Sequence, residues 1–452
     1  MYAILPEEIK WVLQIMEKHH KEAYLVGGCV RDMLMGGSIH DYDIASSALP
    51  QETMDIFIQE GSHVIPTGLK HGTISVIVND HTVEITTYRI EQEYSNHRAP
   101  DAVSFTRNLR DDLSRRDFTM NAIAYHPDKG FVDPFGGRED IQNRVIRCVG
   151  DANLRLQEDA LRILRALRFH AVLGFRLEET SARAIQHHAS LLSYVSKERI
   201  QTEFNKILMA DMPDTLAMLR RYQVLPYILP GYECIYDVEQ HNPWHCYDLF
   251  THTDKALNHT KGYPLSAKLA IVLHDIGKLD TVTFDEHGIA HYPMHAKVSA
   301  QKAVVFLKEL KYSNALIEEV KTLILYHDYH VVDKRRVMRR FLAHLNNKEE
   351  LAQRVFQVQL ADDQAKNDEK AHESIDMLYR CMDLLKVMLE EEEMVSLKNL
   401  AVNGHDIMAL GYRGVAVGQL LQDCLQHVID CPQHNQKEYL VEWIKKKGDD
   451  FA

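Results

Sequence analysis

Residues 25–45 read LVGGCVRDMLMGGSIHDYDIA, and two features of this stretch decide how the front of the chain folds. Leu25 and Val26 close an apolar, strand-like run, and Gly27-Gly28 turns it into a helical run carrying Arg31 and Asp32. A glycine turn of this kind lets backbone N–H groups come close to a phosphate. Asp41 and Asp43 then bracket Tyr42. On a strand, residues i and i+2 share a face, so these two carboxylates are expected to converge. Converging carboxylates suit Mg²⁺, one ion activating an attacking hydroxyl while another neutralises a leaving pyrophosphate. Glu84, in HTVEITTYR, is the candidate third carboxylate on a neighbouring strand. Alone, either Gly-Gly or Asp-x-Asp is common in surface turns. Side by side they describe a phosphate cradle next to a metal site.

Working outward, AYLVGG, HDYDIASS, GTISVIVND and HTVEITTYR are rich in Val, Ile and Thr, as strands are, and a helix from Glu7 to His19 precedes them. Asn79-Asp80 is the expected hairpin turn before HTVEITTYR. The result is a small α/β head with a mixed sheet over residues 1–150. Farther along, LSRRDFTMNAIAY sets Arg115 and Arg116 beside Asp117 and Asn121, residues able to hold a triphosphate and ribose hydroxyls.

From 151 to 230 the pattern becomes helical. EDALRILRALRFHAVLG places Leu161, Leu164, Leu167 and Val172 on one face and arginines on another, with Gly174 as the stop. Ser196 is the expected N-cap of SKERIQTEFNKIL. A histidine-rich helical block fills 231–370, and a helical tail fills 371–452, broken at AVNGHDIMALGYRGVAVG. Glu390 opens a four-glutamate run read as a solvated helix face. The fold class is therefore α+β, a mixed-sheet head followed by all-α regions.

The formal net charge of −13 argues against a promiscuous nucleic-acid coat, so any RNA contact must come from local arginine clusters. Seven scattered cysteines without a CxxC pair oppose both a zinc knuckle and a disulfide framework. No long apolar run crosses a membrane, the N-terminus has no cleavable leader pattern, and a reducing cytoplasm is the expected home. No motif points to a protein partner.

GGCVRD, HDYDIA, RRDFTMNA and EDALRILRALRFHAVLGF, in this order, resemble the motifs of the bacterial class II tRNA nucleotidyltransferase and poly(A) polymerase family, over roughly the first half of the chain. The tail, with LAVNGHDIMALG, is similar to tails of members carrying a histidine-rich domain. The resemblance implies that protein side chains read the incoming base, at positions matching Glu158, Asp159 and Arg162. Asp159 and Arg162, three apart, are expected on one helix face as an acceptor and a forked donor, with Arg165 and Arg168 continuing toward phosphate or RNA. The polar segment between Glu84 and Arg115, containing Asn96 and Pro100, resembles the loop needed to add a terminal A. The implied activity is addition of CCA to tRNA from CTP and ATP. A poly(A) polymerase, an A-adding relative and a non-catalytic tRNA-binding protein stay open.

The rear half is dense in potential ligands: HNPWHCYDLFTHT, LAIVLHDIGK, HYPMHAKVSA, LYHDYH and LADDQAK. His274-Asp275, expected on an apolar helix, resembles the signature of the HD phosphohydrolase superfamily. That resemblance implies His252, His274, Asp275 and Asp362 as metal ligands, with His295 and His327 serving a second ion. Imidazole and carboxylate together suit Mn, Fe, Ni or Zn. A last alternative makes this phosphohydrolase the main activity and the front domain degenerate.

Overall fold

The computed structural model describes residues 5–39, 41–79, 81–92, 102–391 and 396–449. It divides into two compact units, the chain passing from the first to the second after Gly231.

The first unit opens with helix Glu7–Lys18, whose Ile9, Val12, Leu13 and Met16 are buried while Glu7, Glu8 and Lys18 sit at the ends that suit their charge. Among the described residues ten strands follow in the head: β1 (Ala23–Val26), β2 (Asp43–Ser46), β3 (His63–Gly68), β4 (Thr73–Val78), β5 (His81–Thr87), β6 (Arg89–Gln92), β7 (Ala102–Phe105), β8 (Ala124–His126), β9 (Gly130–Val132) and β10 (Val145–Ile146), the last pairing with Arg176–Leu177 beyond the head. Seven form one sheet in the order β3-β4-β5-β2-β1-β8-β9, and β6 pairs β7 separately. Only the β2–β5 pair in this sheet is parallel, so the sheet is mixed as expected. That pairing sets Asp43 opposite Glu84. Register partners on adjacent strands project from the same face, so the two carboxylates face the same way.

The Asn79-Asp80 turn falls partly outside the described residues, because Asp80 does; Val78 nonetheless stands opposite His81 at the hairpin's end. Asn96 and Pro100 also lie outside them. Of the glutamate run, Glu390 is exposed and ends a helix, Glu391 pairs with Arg335, and Glu392 and Glu393 lie outside the described residues.

Three helical expectations need correction in this unit. The helix expected from Glu158 begins at Leu161 and runs to Leu173, while another, Ala152–Glu158, ends just before it. Asp159 has extended backbone between them, so it does not share a helix face with Arg162. Leu164 and Leu167 are fully buried, but Val172 is 55% exposed; Ala171, four residues after Leu167, takes the inward position. Gly174 caps this helix with φ 65°, a left-handed turn natural to glycine. Ser196 does stand at the N-cap of Lys197–Leu208, but its side chain makes no capping hydrogen bond.

The second unit is helical apart from one short antiparallel pair, Thr283–Phe284 with Ala290–His291. Leu265–Leu273 is buried from Ser266 onward and mostly apolar, as a central helix must be, with Ser266 and Lys268 its two polar side chains. Helices Leu249–Asn258, Asn314–Tyr326 and Glu349–Gln364 pack around it, and His295–Glu309 lies along Asn314–Tyr326. The helix stops at Leu273, so His274 is its C-cap and Asp275 lies in the turn beyond, a correction to the expected helical placement. Near the end, Val415–Asp430 and Lys437–Asp449 close over a core of Val402, Ile407, Cys424, Val428, Leu440 and Ile444. The expected break at 401–418 contains a short helix of its own, Gly404–Ala409, capped by Asn403.

Candidate functional site

A cleft of about 590 Å³ in the first unit is built on the stretch that opened the sequence. Gly27 turns β1 into helix Gly28–Met35 with φ 76°. A Cβ there would come within 3.0 Å of Arg116 Nη1 and 3.7 Å of Asp43 Oδ2, so the glycine also lets these two groups approach the backbone. Gly28, Arg31, Arg115, Arg116, Asp117, Asn121, Asp159, Arg162, Arg165 and Arg168 line the same cleft, together with Gly27 and Asp43. The structure thus brings together residues spread over more than 140 positions.

The carboxylates differ from one another. Asp43 starts β2, whereas Asp41 precedes the strand, so strand pleating does not align the pair and the i, i+2 argument fails here. The two are still neighbours: burial raises the Asp43 pKa, Arg116 opposes the rise, and the charge of Asp41 adds to it. A carboxylate under such pressure favours a cation beside it.

Asp112, with no exposed surface, holds Arg115 at 2.7 Å and Arg116 at 3.1 Å. Burial would raise its pKa, but Arg116 and Arg115 outweigh that and lower it. Asp117 receives Arg165 Nε at 2.8 Å and the Asn121 side-chain amide at 3.1 Å. Its burial is likewise overcome, chiefly by Arg165, and the carboxyl is held at about 2. Asp117 and Asn121 are thus tied to each other and to the arginine wall. Arg31 donates to Asn121 Oδ1 at 3.0 Å, and Arg168 pairs with Glu203 at 2.9 Å.

The side chains of Asp159 and Arg162 do not pair with each other, although the Arg162 backbone N–H donates to the Asp159 carbonyl at 3.0 Å. Asp159 Oδ2 accepts from Arg199 at 2.8 Å and its Oδ1 from the Leu161 backbone at 3.1 Å, while Arg162 bonds Glu158 and the Arg115 carbonyl. His71, Arg89, Leu161, Phe169 and Arg199 also line the cleft, and sequence reasoning gave none of them a role there. For Arg199 the only available signal was a charged side chain in the first turn of a helix, which is unremarkable.

In the second unit, one ligand atom from each of His252, His274, Asp275 and Asp362 lies within 4.8 Å of the others, and Asp275, His295 and His327 form a second such group. Asp275 belongs to both. His252 Nε2 stands 2.9 Å from Asp362 Oδ1, and His274 Nε2 stands 3.1 Å from Asp275 Oδ2. His295 and His327 lie 3.5 and 3.8 Å from Asp275 Oδ1.

All four imidazoles turn Nδ1 to a backbone carbonyl: His252 to Ala365, His274 to Ile271, His295 to Tyr292 and His327 to Ile324. That fixes each ring with Nε2 inward, the arrangement of metal-ligating histidines. Lys278 Nζ reaches within 2.7 Å of Asp275 Oδ2. Even so, His274 Nε2 and both Asp275 oxygens are buried without an aligned hydrogen-bond partner. Unpartnered buried polar atoms are costly, and three of them pointing to one place fit a cation.

A model described as "Poly A polymerase head domain" matches residues 23–147, "Probable RNA and SrmB- binding site of polymerase A" matches 174–235, and a tRNA nucleotidyltransferase domain 2 matches 281–444. The CCA-adding enzyme of Bacillus cytotoxicus is 32% identical over 442 residues, covering 96% of this chain and 97% of its own length. The chain belongs to the CCA-adding enzyme family.

Another member of the family, from a Geobacillus species, is 49% identical over 197 residues, which cover 44% of this chain and 48% of that protein. The solved structure of the Bacillus stearothermophilus CCA-adding enzyme in complex with CTP matches with a TM-score of 0.71 and 27% identity, covering 99% of each chain. A Thermotoga maritima CCA-adding enzyme complexed with tRNA shares the fold, with a TM-score of 0.58 at 18% identity, over 98% of this chain and 96% of that one. Among the described residues, no helix is long and apolar enough to cross a membrane. All seven cysteines are free thiols.

Proposed function

We propose that this chain adds C, C and A to the 3′ end of tRNA from CTP and ATP, releasing pyrophosphate, without a nucleic-acid template. The observation that carries the reading is the register of Asp43 with Glu84, beside a glycine turn and under a wall of arginines. Asp41, Asp43 and Glu84 are the hard oxygen donors that suit Mg²⁺. When bound, the ion supplies charge neutralisation and activation of the attacking hydroxyl.

The chain's own residues do the rest. Gly27 and Gly28 keep the cradle open to the triphosphate, and Arg31, Arg115, Arg116, Arg165 and Arg168 balance its charge. Asp117 and Asn121 fix this wall and face the ribose. Asp159 and Arg162 meet the base edge with an acceptor and a donor after exchanging their present partners, Arg199 and Glu158. The tRNA 3′-hydroxyl attacks the α-phosphate in line, and no covalent enzyme intermediate forms. In this reading residues 1–150 are the catalytic head, 151–230 the neck that reads the base, 231–370 the metal-binding region and 371–452 an RNA-binding tail. The free thiols support a cytoplasmic home.

The test is incubation with tRNA lacking its 3′ end, Mg²⁺ and each NTP, followed by sequencing of the extended ends. Growth that stops at CCA is expected; a CC product, an A-only product or open-ended tails would redirect the assignment.

The unpartnered atoms of the second unit favour an additional activity. His252, His274, Asp275 and Asp362 hold one transition-metal ion such as Mn, Fe, Ni or Zn, and Asp275 with His295 and His327 holds a second. A metal so held equips the domain to activate water against a phosphoester.

A further inference from the structure

Phe169 is only 6% exposed, yet it lines the front cleft. The guanidinium carbons of Arg168, Arg31 and Arg165 lie 4.2, 5.1 and 5.8 Å from its ring centroid. Phe118, with no exposed surface, meets the same ring edge-on at 5.7 Å and 86°, which holds it in place. One fixed ring therefore carries three cations from two separate elements, the helix after the glycine turn and the helix Leu161–Leu173.

Three guanidiniums so close repel one another. Burial, Arg165 and Arg31 all disfavour the charge on Arg168, against the attraction of Glu203. Arg31 is tied to Asp32, and Arg165 is bonded to Asp117 with good geometry. Arg168 differs. Its Nε is 2.9 Å from Glu203 Oε2, but both atoms are buried without an aligned hydrogen-bond partner. Glu203 thus attracts Arg168 without an aligned hydrogen bond, and the ring 4.2 Å away gives the guanidinium its second support.

The choice of a ring has a physical consequence. Each guanidinium already faces a carboxylate of its own, Asp32, Asp117 or Glu203, and a further carboxylate in the ring's place would cancel still more of the positive potential an anionic ligand needs. An aromatic face attracts cations through its quadrupole and carries no net charge. It can therefore organise the wall and leave its potential directed into the cleft.

We propose that Phe169 is the positioning residue of this cationic wall: its ring gathers Arg31, Arg165 and Arg168 into one surface that takes the phosphates of the incoming nucleoside triphosphate. The inference rests on the cleft being the nucleotide site.

The test uses the full chain with tRNA lacking its 3′ end, and inorganic pyrophosphate as a competitive probe of the wall that has no base to be read. Phe169→Met keeps most of the volume and removes the quadrupole. It should raise the KM for CTP and ATP and the inhibition constant of pyrophosphate by about three- to tenfold, with kcat and the discrimination against GTP and UTP little changed. Phe169→Tyr should restore all three constants.

Mono-, di- and trifluorinated phenylalanine incorporated at position 169 withdraws ring electron density at nearly constant shape. Pyrophosphate affinity should fall stepwise along that series, and this arm decides the question even if Phe169→Met does not fold. Unchanged pyrophosphate affinity across the fluorinated series, or a loss confined to kcat in Phe169→Met, overturns the role of the ring. Pyrophosphate that fails to compete with CTP in the unaltered protein would instead overturn the reading of the cleft.

Discussion

Asp117 both lines the front cleft and ties its wall together. Its carboxylate is buried, bonds Arg165, Asn121 and the Phe118 backbone, and titrates at about 2 against an ordinary value of 3.8. Because the folded pKa is depressed, its stabilisation is complete above about pH 4 and is lost as the pH falls toward 2. Asp117→Asn leaves Arg165 uncompensated and should cost about 3 kcal/mol at pH 7. In urea unfolding, the gap to the unaltered protein should stay constant down to about pH 4 and narrow below it; a variant as stable as the parent at pH 7 would sink the assignment. Asp159→Ala should act differently. It would remove the proposed base-reading acceptor and none of the carboxylates proposed to hold Mg²⁺, so the preference for CTP and ATP over GTP and UTP should fall at least about tenfold. Single-nucleotide incorporation assays check this, and unchanged selectivity would remove Asp159 from its role.

At the scale of elements, turns position the chemistry. Gly27 ends β1 and Gly277 ends the turn that carries Asp275. A Cβ on Gly277 would lie 2.6 Å from the Ser299 backbone nitrogen and 2.9 Å from the His295 carbonyl, so helix His295–Glu309 would have to move. Gly277→Ala should therefore destabilise the second unit by about 1–3 kcal/mol, the usual range for overpacking. Because His295 starts the displaced helix, occupancy of the proposed second metal site should be lost before that of the first. Calorimetry and metal analysis by mass spectrometry test the two effects; a variant with full metal content and an unchanged Tm would show that the helix adapts at no cost. The break between Ala152–Glu158 and Leu161–Leu173 belongs to the same scale, because it frees Asp159 from helical geometry and turns its carboxylate to Arg199.

For the whole molecule, each of the two units carries its own polar centre. His274→Ala should reduce bound transition metal, as measured on purified protein, while CCA addition continues at close to the unaltered rate. A joint loss of metal and nucleotide addition would contradict their independence.

The sequence by itself determined the class of the fold and the inventory of its chemistry. Local periodicity showed strands before helices, and short motifs supplied the glycine turn, the arginines and the histidine-aspartate pair, because these signals depend only on near neighbours along the chain. The tertiary structure decided which groups meet. Parallel pairing of β2 with β5 set Glu84 opposite Asp43, helix packing carried Asp362 to His252 across 110 positions, and the fold put Arg199 on Asp159 and three guanidiniums on Phe169. Such contacts are fixed by strand order and helix packing, and no periodicity in the chain encodes them directly.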